Sequence, residues 1–420
     1  MTSDAAGTVQ GQPETAFVWI WLPDATEPVV AGRVDQVGES LVFRYGRTYL
    51  EREGRISLYE PELPLVAGEQ LPQVGTTHGC IADGGPDSWG QRVILHRRLG
   101  HGTHDATDLR RLTYLMASGS DRIGALDFQK SATDYVAREA DAVPVEELAN
   151  AAQHVEDGVQ LPPALSESLL RGTSIGGARP KAQLEEGDRR LIAKFSSTTD
   201  VYPVVQGEFV AMRLAGLAGI DVPRVEITEA LGKKIMLVER FDRLPGGRRR
   251  VMVSALTVLG LGEAGGRYAS YADLARIIRT RFTDPDATLR ELFARITFNI
   301  LTSNTDDHAR NQAAFWDGEG LTLTPAYDIC PHPRSGGEAE QVMAIGEDGW
   351  RYSQLAGCVA RAATYHLSHA DAQEILDHQI DVIETHWGDV CDHARLTQVE
   401  RDAFWGRQFL NPFALLNSHT

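Results

Sequence analysis

The chain has 420 residues, of which 42% are hydrophobic and 24% charged. That balance excludes wholesale disorder and a fibrous protein, and it leaves room for two or three domains. Lys and Arg total 41 against 58 Asp and Glu, a net charge of −17, which argues against a general grip on DNA or RNA through the chain's own surface. Four scattered cysteines (Cys80, Cys330, Cys358 and Cys391) form no CxxC pair, which speaks against a disulfide scaffold and a structural zinc site.

Residues 1–15 are small, polar and acidic, without the basic start and apolar core of a signal peptide. No run of 18 apolar residues follows that could span a membrane. The start therefore reads as a disordered tail on a cytoplasmic protein. Phe17–Leu22 and Ser40–Tyr45 are β-branched or aromatic runs between Gly, Pro and Asp, and predict a small antiparallel sheet. Pro86-Asp87-Ser88-Trp89-Gly90 opens a helix carrying Val93, Ile94 and Leu99, and a second helix covers about Asp108–Met116. Gly124-Ala125-Leu126-Asp127-Phe128 runs from a turn into a strand. Glu139–Glu156 predicts an acidic helix, broken by Leu161-Pro162-Pro163. Lys181–Leu184 and Arg190–Phe195 flank a Glu-Gly-Asp turn and predict a hairpin. A helix over Gln206–Gly219 and strands over Val222–Thr228 and Lys234–Arg240 follow. Beyond Ser270 helices dominate: Tyr271–Thr280, Thr288–Thr302, His369–His386 and Leu396–Leu415, interrupted by one hairpin between Asn311 and Thr324.

The segment richest in chemistry is Asn304-Thr305-Asp306-Asp307-His308-Ala309-Arg310-Asn311. It precedes a hairpin, Ala313–Trp316 and Leu321–Thr324, whose second strand delivers Pro325-Ala326-Tyr327-Asp328. A protein kinase needs one carboxylate to accept the attacking hydroxyl's proton and separate oxygen ligands to hold Mg²⁺ on the phosphates. Asp306 and Asn311 have the five-residue spacing of a kinase catalytic loop, and Asp328 stands where the second metal-binding Asp belongs. Upstream, Ser174-Ile175-Gly176-Gly177-Ala178-Arg179-Pro180-Lys181 is a glycine-rich loop that can turn backbone N–H groups toward phosphates. Lys194 ends the next strand, at the position of a phosphate-binding lysine, and Glu208 on the following helix can pair with it. Glu239-Arg240-Phe241-Asp242-Arg243 stands at the place of a hinge that reads adenine.

Together with the Pro86–Gly90 and Gly124–Phe128 segments, these motifs resemble the HipA family of serine/threonine kinase toxins, in order from about Ala16 to Leu415. The resemblance implies an α+β, HipA-like kinase fold, with a mixed α/β N-terminal part containing small antiparallel sheets, a mainly helical C-terminal part, and the active site between them. It implies the boundaries 16–130 for an N-terminal subdomain, 131–245 for the ATP-binding part and 246–420 for the catalytic lobe. It implies ATP and Mg²⁺ as cofactors, Asp306 as the base, and Asp328 with Asn311 as metal ligands. Contacts to ATP would come from Gly176, Gly177, Ala178, Arg179, Pro180, Lys181, Lys194, Glu239, Arg240, Phe241, His308, Ala309, Arg310, Asn311, Tyr327 and Asp328. Ser174 matches an autophosphorylation position. The partners implied are a HipB-type helix-turn-helix antitoxin, DNA only through that antitoxin, and a protein substrate of the aminoacyl-tRNA synthetase class. One departure is Asp307, where the family often has Gly.

Two other readings of these residues stay open, a pseudokinase binding module and a kinase acting on a lipid or small molecule. Gly260-Leu261-Gly262-Glu263-Ala264-Gly265 matches a dinucleotide fingerprint by letter, yet no helix follows at once. It reads as a loop beside a peptide-substrate cleft. His96, His101, His104, His366 and His369 lack carboxylate or Cys partners at metal spacing and read as solvated or capping residues. His308 is expected to hydrogen-bond a backbone carbonyl.

Overall fold

A computed structural model describes residues 12–99, 109–138, 143–159, 165, 169, 179–197, 199–334 and 338–416. Residues 1–11 of the expected tail, Ser174, Gly176, Gly177, Ala178, His101 and His104 lie outside these residues, while the end of that tail is ordered: Gln12 accepts from the Arg110 N–H at 2.9 Å, Glu14 pairs with Arg110 at 2.7 Å, and Thr15 opens the first strand.

The first sheet is built from β1 (Thr15–Ile20), β2 (Val29–Val37), β3 (Ser40–Tyr45) and β4 (Leu126–Gln129), in the order β3-β2-β1-β4, with the pairs antiparallel. The β2 strand, flanked by both of its neighbours, went unread in the sequence, because Gly32 and the polar Arg33, Asp35 and Gln36 blur its alternation. The apolar positions Ala31 and Val34 are nonetheless fully buried. Gly32 is required there: a Cβ would meet the Arg44 carbonyl and the Phe43 ring at 2.3 and 2.7 Å. Among the described residues, four helices connect β3 to β4: the single turn Arg47–Leu50, then α1 (Gly79–Asp83), α2 (Ser88–Leu99) and α3 (Arg111–Ala117).

Next come α4 (Val145–Glu156) and a second antiparallel sheet of β5 (Lys181–Glu186), β6 (Arg189–Phe195), β7 (Val225–Ala230) and β8 (Lys233–Glu239), ordered β5-β6-β8-β7. The helix α5 (Val204–Leu217) joins β6 to β7. The alternation of side chains along each strand gives this sheet two apolar faces. Ala182, Ala193, Phe195 and Ile235 pack with Trp89, Val93, Leu148 and Ala152 from α2 and α4, while Met236 and Val238 join α5 in the larger core. Pro223 lacks the N–H that a ladder needs, and β7 starts after it, later than the expected Val222.

The C-terminal part holds β9 (Val251–Ser254), β10 (Ala313–Trp316) and β11 (Leu321–Leu323), ordered β11-β10-β9, among α6 (Tyr271–Arg281), α7 (Pro285–Leu301), α8 (His369–His393) and α9 (Gln398–Phe404). Local chemistry sets the helix starts. Ser270 caps α6, Asp284 with Pro285 caps α7, and Ser368 and Thr397 open α8 and α9 with capping boxes. The single helix expected over Leu396–Leu415 is instead the short α9 followed by turns. Gly406 adopts φ +69 and Leu410 φ +52, and Pro412 has no N–H to continue a helix. Trp405 and Phe409 then pack at tilted angles against Trp387, with ring centroids 5.0 and 4.8 Å away.

Candidate active site

The loop after β8 is tied to residues 121–124, just before β4, through buried charges. Arg240 pairs with Asp121 at 3.0 Å and Asp242 at 2.8 Å, and Arg243 pairs with the same two carboxylates at 2.7 and 2.9 Å. Asp242 also accepts from the Gly124 N–H at 2.8 Å. Burial alone would raise both carboxyl pKa values, but the two guanidiniums override it and hold them below the usual carboxylate range. Depressed folded-state pKa values stabilise the fold above the unfolded value near 3.8, and that stability is lost as pH falls through the folded values. Urea unfolding from pH 7 to pH 2 is therefore expected to show stability falling below about pH 4. In Arg240→Met, where Asp121 and Asp242 lose this partner, the acid limb is expected to flatten.

At the other end of the same sheet, Lys194 from β6 reaches two acids. Its Nζ donates to Glu208 Oε1 and to Asp328 Oδ1, each at 2.5 Å. Glu208 comes from α5 and is buried. Burial would lower the Lys194 pKa, yet Asp328 and Glu208 together raise it well above its ordinary value. Asp328 is held well below the carboxylate range, because Lys194, with Lys181 behind it, outweighs burial. Lys181 is buried on β5 and pairs with Asp87 at 3.2 Å, while the Trp89 indole donates to the Lys181 carbonyl at 3.0 Å. The Pro86–Gly90 segment thus serves the site from a distance of almost 100 residues. No local signal marks Asp87 as the partner of Lys181.

Asp328 has φ +60, a left-handed conformation uncommon outside Gly and Asn. Two contacts surround that turn. Asn304 Nδ2 donates to the Asp328 carbonyl at 3.5 Å, and the Tyr327 hydroxyl donates to the Arg310 carbonyl at 2.7 Å. The second bond sets Tyr327-Asp328 beside Arg310-Asn311, so the Asp328 carboxylate and the Asn311 amide stand on neighbouring loops. An ionised carboxylate and an amide oxygen are hard oxygen donors of the kind Mg²⁺ takes, and 38% of the Asp328 side chain is accessible. These residues fit the metal-nucleotide pair expected of a kinase.

Asp306 and Asp307 have opposite surroundings. Asp306 is exposed. Asp307 is buried and accepts from the Tyr271 hydroxyl, from Asn299 Nδ2 at 2.8 Å and from Gln312 Nε2 at 2.9 Å. Desolvation raises its pKa despite those donors. Asp307 therefore braces the loop against α6 and α7 and is not directed at a metal. The expected carbonyl bond of His308 is absent: its Nδ1 is buried with no partner among the described residues.

The remaining expected contacts divide. Phe241 lies 6.0 Å from Phe315 and 5.7 Å from Tyr327, an aromatic group beside the hinge that the sequence did not point to as a unit. The Pro180 carbonyl accepts from Phe195 N, and Arg179 pairs with Asp200 at 2.7 Å. Glu239 pairs with Arg189 at 3.3 Å, and the Ala309 carbonyl accepts from Leu256 N. The Arg240 and Arg310 side chains go elsewhere. Arg310 reaches Asp83 at 3.4 Å and Glu263 at 3.1 Å, and Arg111 binds the same Glu263 oxygen at 2.8 Å. These groups border a cavity of about 440 Å³ between residues 61–83 and the loop 256–265. The glycine-rich letters of that loop follow a short helix, Ala255–Val258, not the strand a dinucleotide site needs.

Among the described residues, no helix is long and apolar enough to cross a membrane. The family model described as HipA-like C-terminal domain matches residues 173–387, and the HipA N-terminal domain model matches residues 22–129. The chain is 27% identical over 243 residues to "Serine/threonine-protein kinase toxin HipA" of Shewanella oneidensis, covering 51% of this chain and 55% of that relative. The chain thus spans about half the length of this curated relative. Its fold is similar to the HipA chain solved in the Shewanella oneidensis complex of HipA, HipB and operator DNA, with a TM-score of 0.65 at 20% identity over 95% of this chain and 99% of that one. With one family model covering residues 173–387, half of the chain, and a second covering residues 22–129, this protein belongs to the HipA family.

Proposed function

We propose that the protein is an ATP- and Mg²⁺-dependent serine/threonine protein kinase, acting in the cytoplasm as the toxin of a toxin–antitoxin pair. The observation that carries the reading is the Lys194 bridge between Glu208 and Asp328. A lysine placed between a helix carboxylate and a metal-binding carboxylate is the arrangement that orients the phosphates of ATP in protein kinases. Bound Mg-ATP would supply the phosphoryl group and the cation that shields its charge. Of the chain's own residues, Lys181 and Lys194 would hold the phosphates, Asp328 and Asn311 the metal, and Asp306 the proton of the acceptor hydroxyl. Glu239 and Phe241 would meet the adenine by their backbones. The cavity lined by Arg310 and the loop 256–265 borders the same loop as Asp306, and it would take an acceptor segment of a protein substrate.

The similarity to a HipA solved with HipB and operator DNA supports a HipB-type antitoxin as partner, with DNA reached through it. An aminoacyl-tRNA synthetase remains the substrate class to test first. The presence of Lys194, Asp306, Asn311 and Asp328 together disfavours a pseudokinase. The test is transfer itself. Purified protein incubated with Mg-ATP is expected to gain one phosphate on Ser174, read by mass spectrometry, and the Asp306→Ala protein is expected to gain none. A phosphate at Ser174 adds about −1.5 to −2 charges beside the triphosphate site, so the phosphoform should bind ATP more weakly. ATP bound without any transfer, to itself or to a synthetase, would favour the binding module.

A further inference from the structure

Three carboxylates, Glu62, Asp83 and Glu263, and two guanidiniums, Arg111 and Arg310, line the cavity of about 440 Å³ beside the catalytic loop. Two of the acids are fixed by the fold. Glu62 accepts from the Gly79 and Cys80 N–H groups, each at 2.9 Å. Asp83 accepts from the Ser254 N–H and hydroxyl at 2.8 Å and from the Thr257 hydroxyl at 2.7 Å. Both stand where α1 packs closely on the turn Ala255–Val258: a Cβ at Gly79 would meet the Thr257 hydroxyl at 2.5 Å. Burial raises both pKa values.

Glu263 is held differently. Its side chain is 60% accessible, and among the described residues its only partners are Arg111 at 2.8 Å and Arg310 at 3.1 Å, both on Oε1. Burial would raise its pKa, but the two guanidiniums override this and lower it, so the group is ionised. Glu263 begins the short 3-10 segment Glu263–Tyr268, which the chain enters through Gly260 at φ +65. An exposed ion pair contributes little to stability, so a carboxylate from outside can take its place at little cost.

Arg111 has no other carboxylate partner among the described residues. It comes from α3, and Arg310 comes from the catalytic loop, so two elements far apart in the chain converge on one oxygen atom. Two guanidiniums on a single exposed carboxylate form a carboxylate site, filled here by the chain's own side chain. Its place fits an acceptor segment. Arg310 follows Asp306 by four residues, and four residues span at most about 14 Å. A peptide with its hydroxyl at Asp306 therefore reaches the arginines with a residue about four positions away. Val74 and Leu261 give the same cavity an apolar wall.

We propose that Arg111 and Arg310 select the protein substrate by binding an Asp or Glu that lies within about four residues of the phosphorylated hydroxyl, and that Glu263 fills their site until this residue displaces it. The inference rests on the kinase reading above.

Three fluorescein-labelled serine peptides test it on the full chain, identical except that the positions flanking the serine carry Glu, Lys or Ala. Fluorescence anisotropy reads their binding. The wild type is expected to prefer the Glu peptide. Glu263→Gln frees both guanidiniums and should bind the Glu peptide about tenfold more tightly than the wild type does, the scale of one charge-assisted hydrogen bond. Affinity for the Ala peptide should stay as it was. Adding Arg111→Met to Glu263→Gln should cancel the gain. Glu263 is exposed, so the comparison of Glu263→Gln with the wild type stands even where the Arg111 variant does not fold. Failure of Glu263→Gln to tighten the Glu peptide overturns the inference, as does a wild type that prefers the Lys peptide or binds all three alike. Transfer from Mg-ATP separates the two readings: a Glu peptide bound through the arginines, with no transfer to any serine, would overturn the kinase reading instead.

Discussion

Asp306→Asn is expected to lower phosphotransfer about 10²–10⁴-fold while ATP affinity stays nearly unchanged, the range typical of removing a positioned general base. Asp306 is exposed and makes none of the buried contacts that hold the loop, so its replacement should leave thermal stability as it was. Asp307→Ala is expected to do the reverse. The Tyr271 hydroxyl and the amides of Asn299 and Gln312 would lose their shared acceptor inside the helical lobe. A stranded buried polar group costs about 1–3 kcal/mol, and three that can partly relax cost about 3–5 kcal/mol together. Urea unfolding measures this loss, and single-turnover transfer at low temperature measures the chemistry of whatever remains folded. Full stability with no transfer in Asp307→Ala, beside normal transfer in Asp306→Asn, would move the base by one residue.

Lys194→Met is expected to abolish Mg-dependent ATP binding and to destabilise the fold by about 3 kcal/mol. Removing one member of a buried ion pair typically costs about 3–5 kcal/mol, and the low end applies because 38% of the Asp328 side chain is accessible. Two carboxylates would then face each other without the ammonium. Glu208 is the deeper of the two, and burial already raises its pKa. It should therefore take up a proton more readily in the variant than in the wild type. The double substitution Lys194→Met with Glu208→Gln removes that buried charge and is expected to recover part of the stability and none of the ATP binding. Restored nucleotide affinity in the double variant would show that Lys194 serves the fold alone.

Most strands and helix starts could be read locally, because they depend on side chains near one another in the chain. Caps such as Ser270 and Ser368 act within one turn, and the β5–β6 hairpin is set by a turn of its own, whereas the start of α7 at Pro285 lies a turn before the expected Thr288. The spacing of Asp306, Asn311 and Asp328 was legible for the same reason: a catalytic loop and the hairpin after it form one continuous segment. The sequence by itself also carried the family, since its motifs occur in order along the chain. Other features were decided only by tertiary packing. The β2 strand is polar at alternate positions and is recognisable only with β1 and β3 on either side. Which of Asp306 and Asp307 faces the solvent depends on donors from Tyr271, Asn299 and Gln312, and Tyr271 lies more than 30 residues away in the chain. Arg240 and Arg310 stand inside motifs that the sequence assigns to nucleotide binding, yet their charges go to Asp121, Asp242, Asp83 and Glu263. Asp87 meets Lys181, and Arg250 meets Phe315, across gaps that no local pattern records. A charge or a ring finds its partner through the closure of the whole chain, and long-range closure leaves no periodic signal in the residues that it joins.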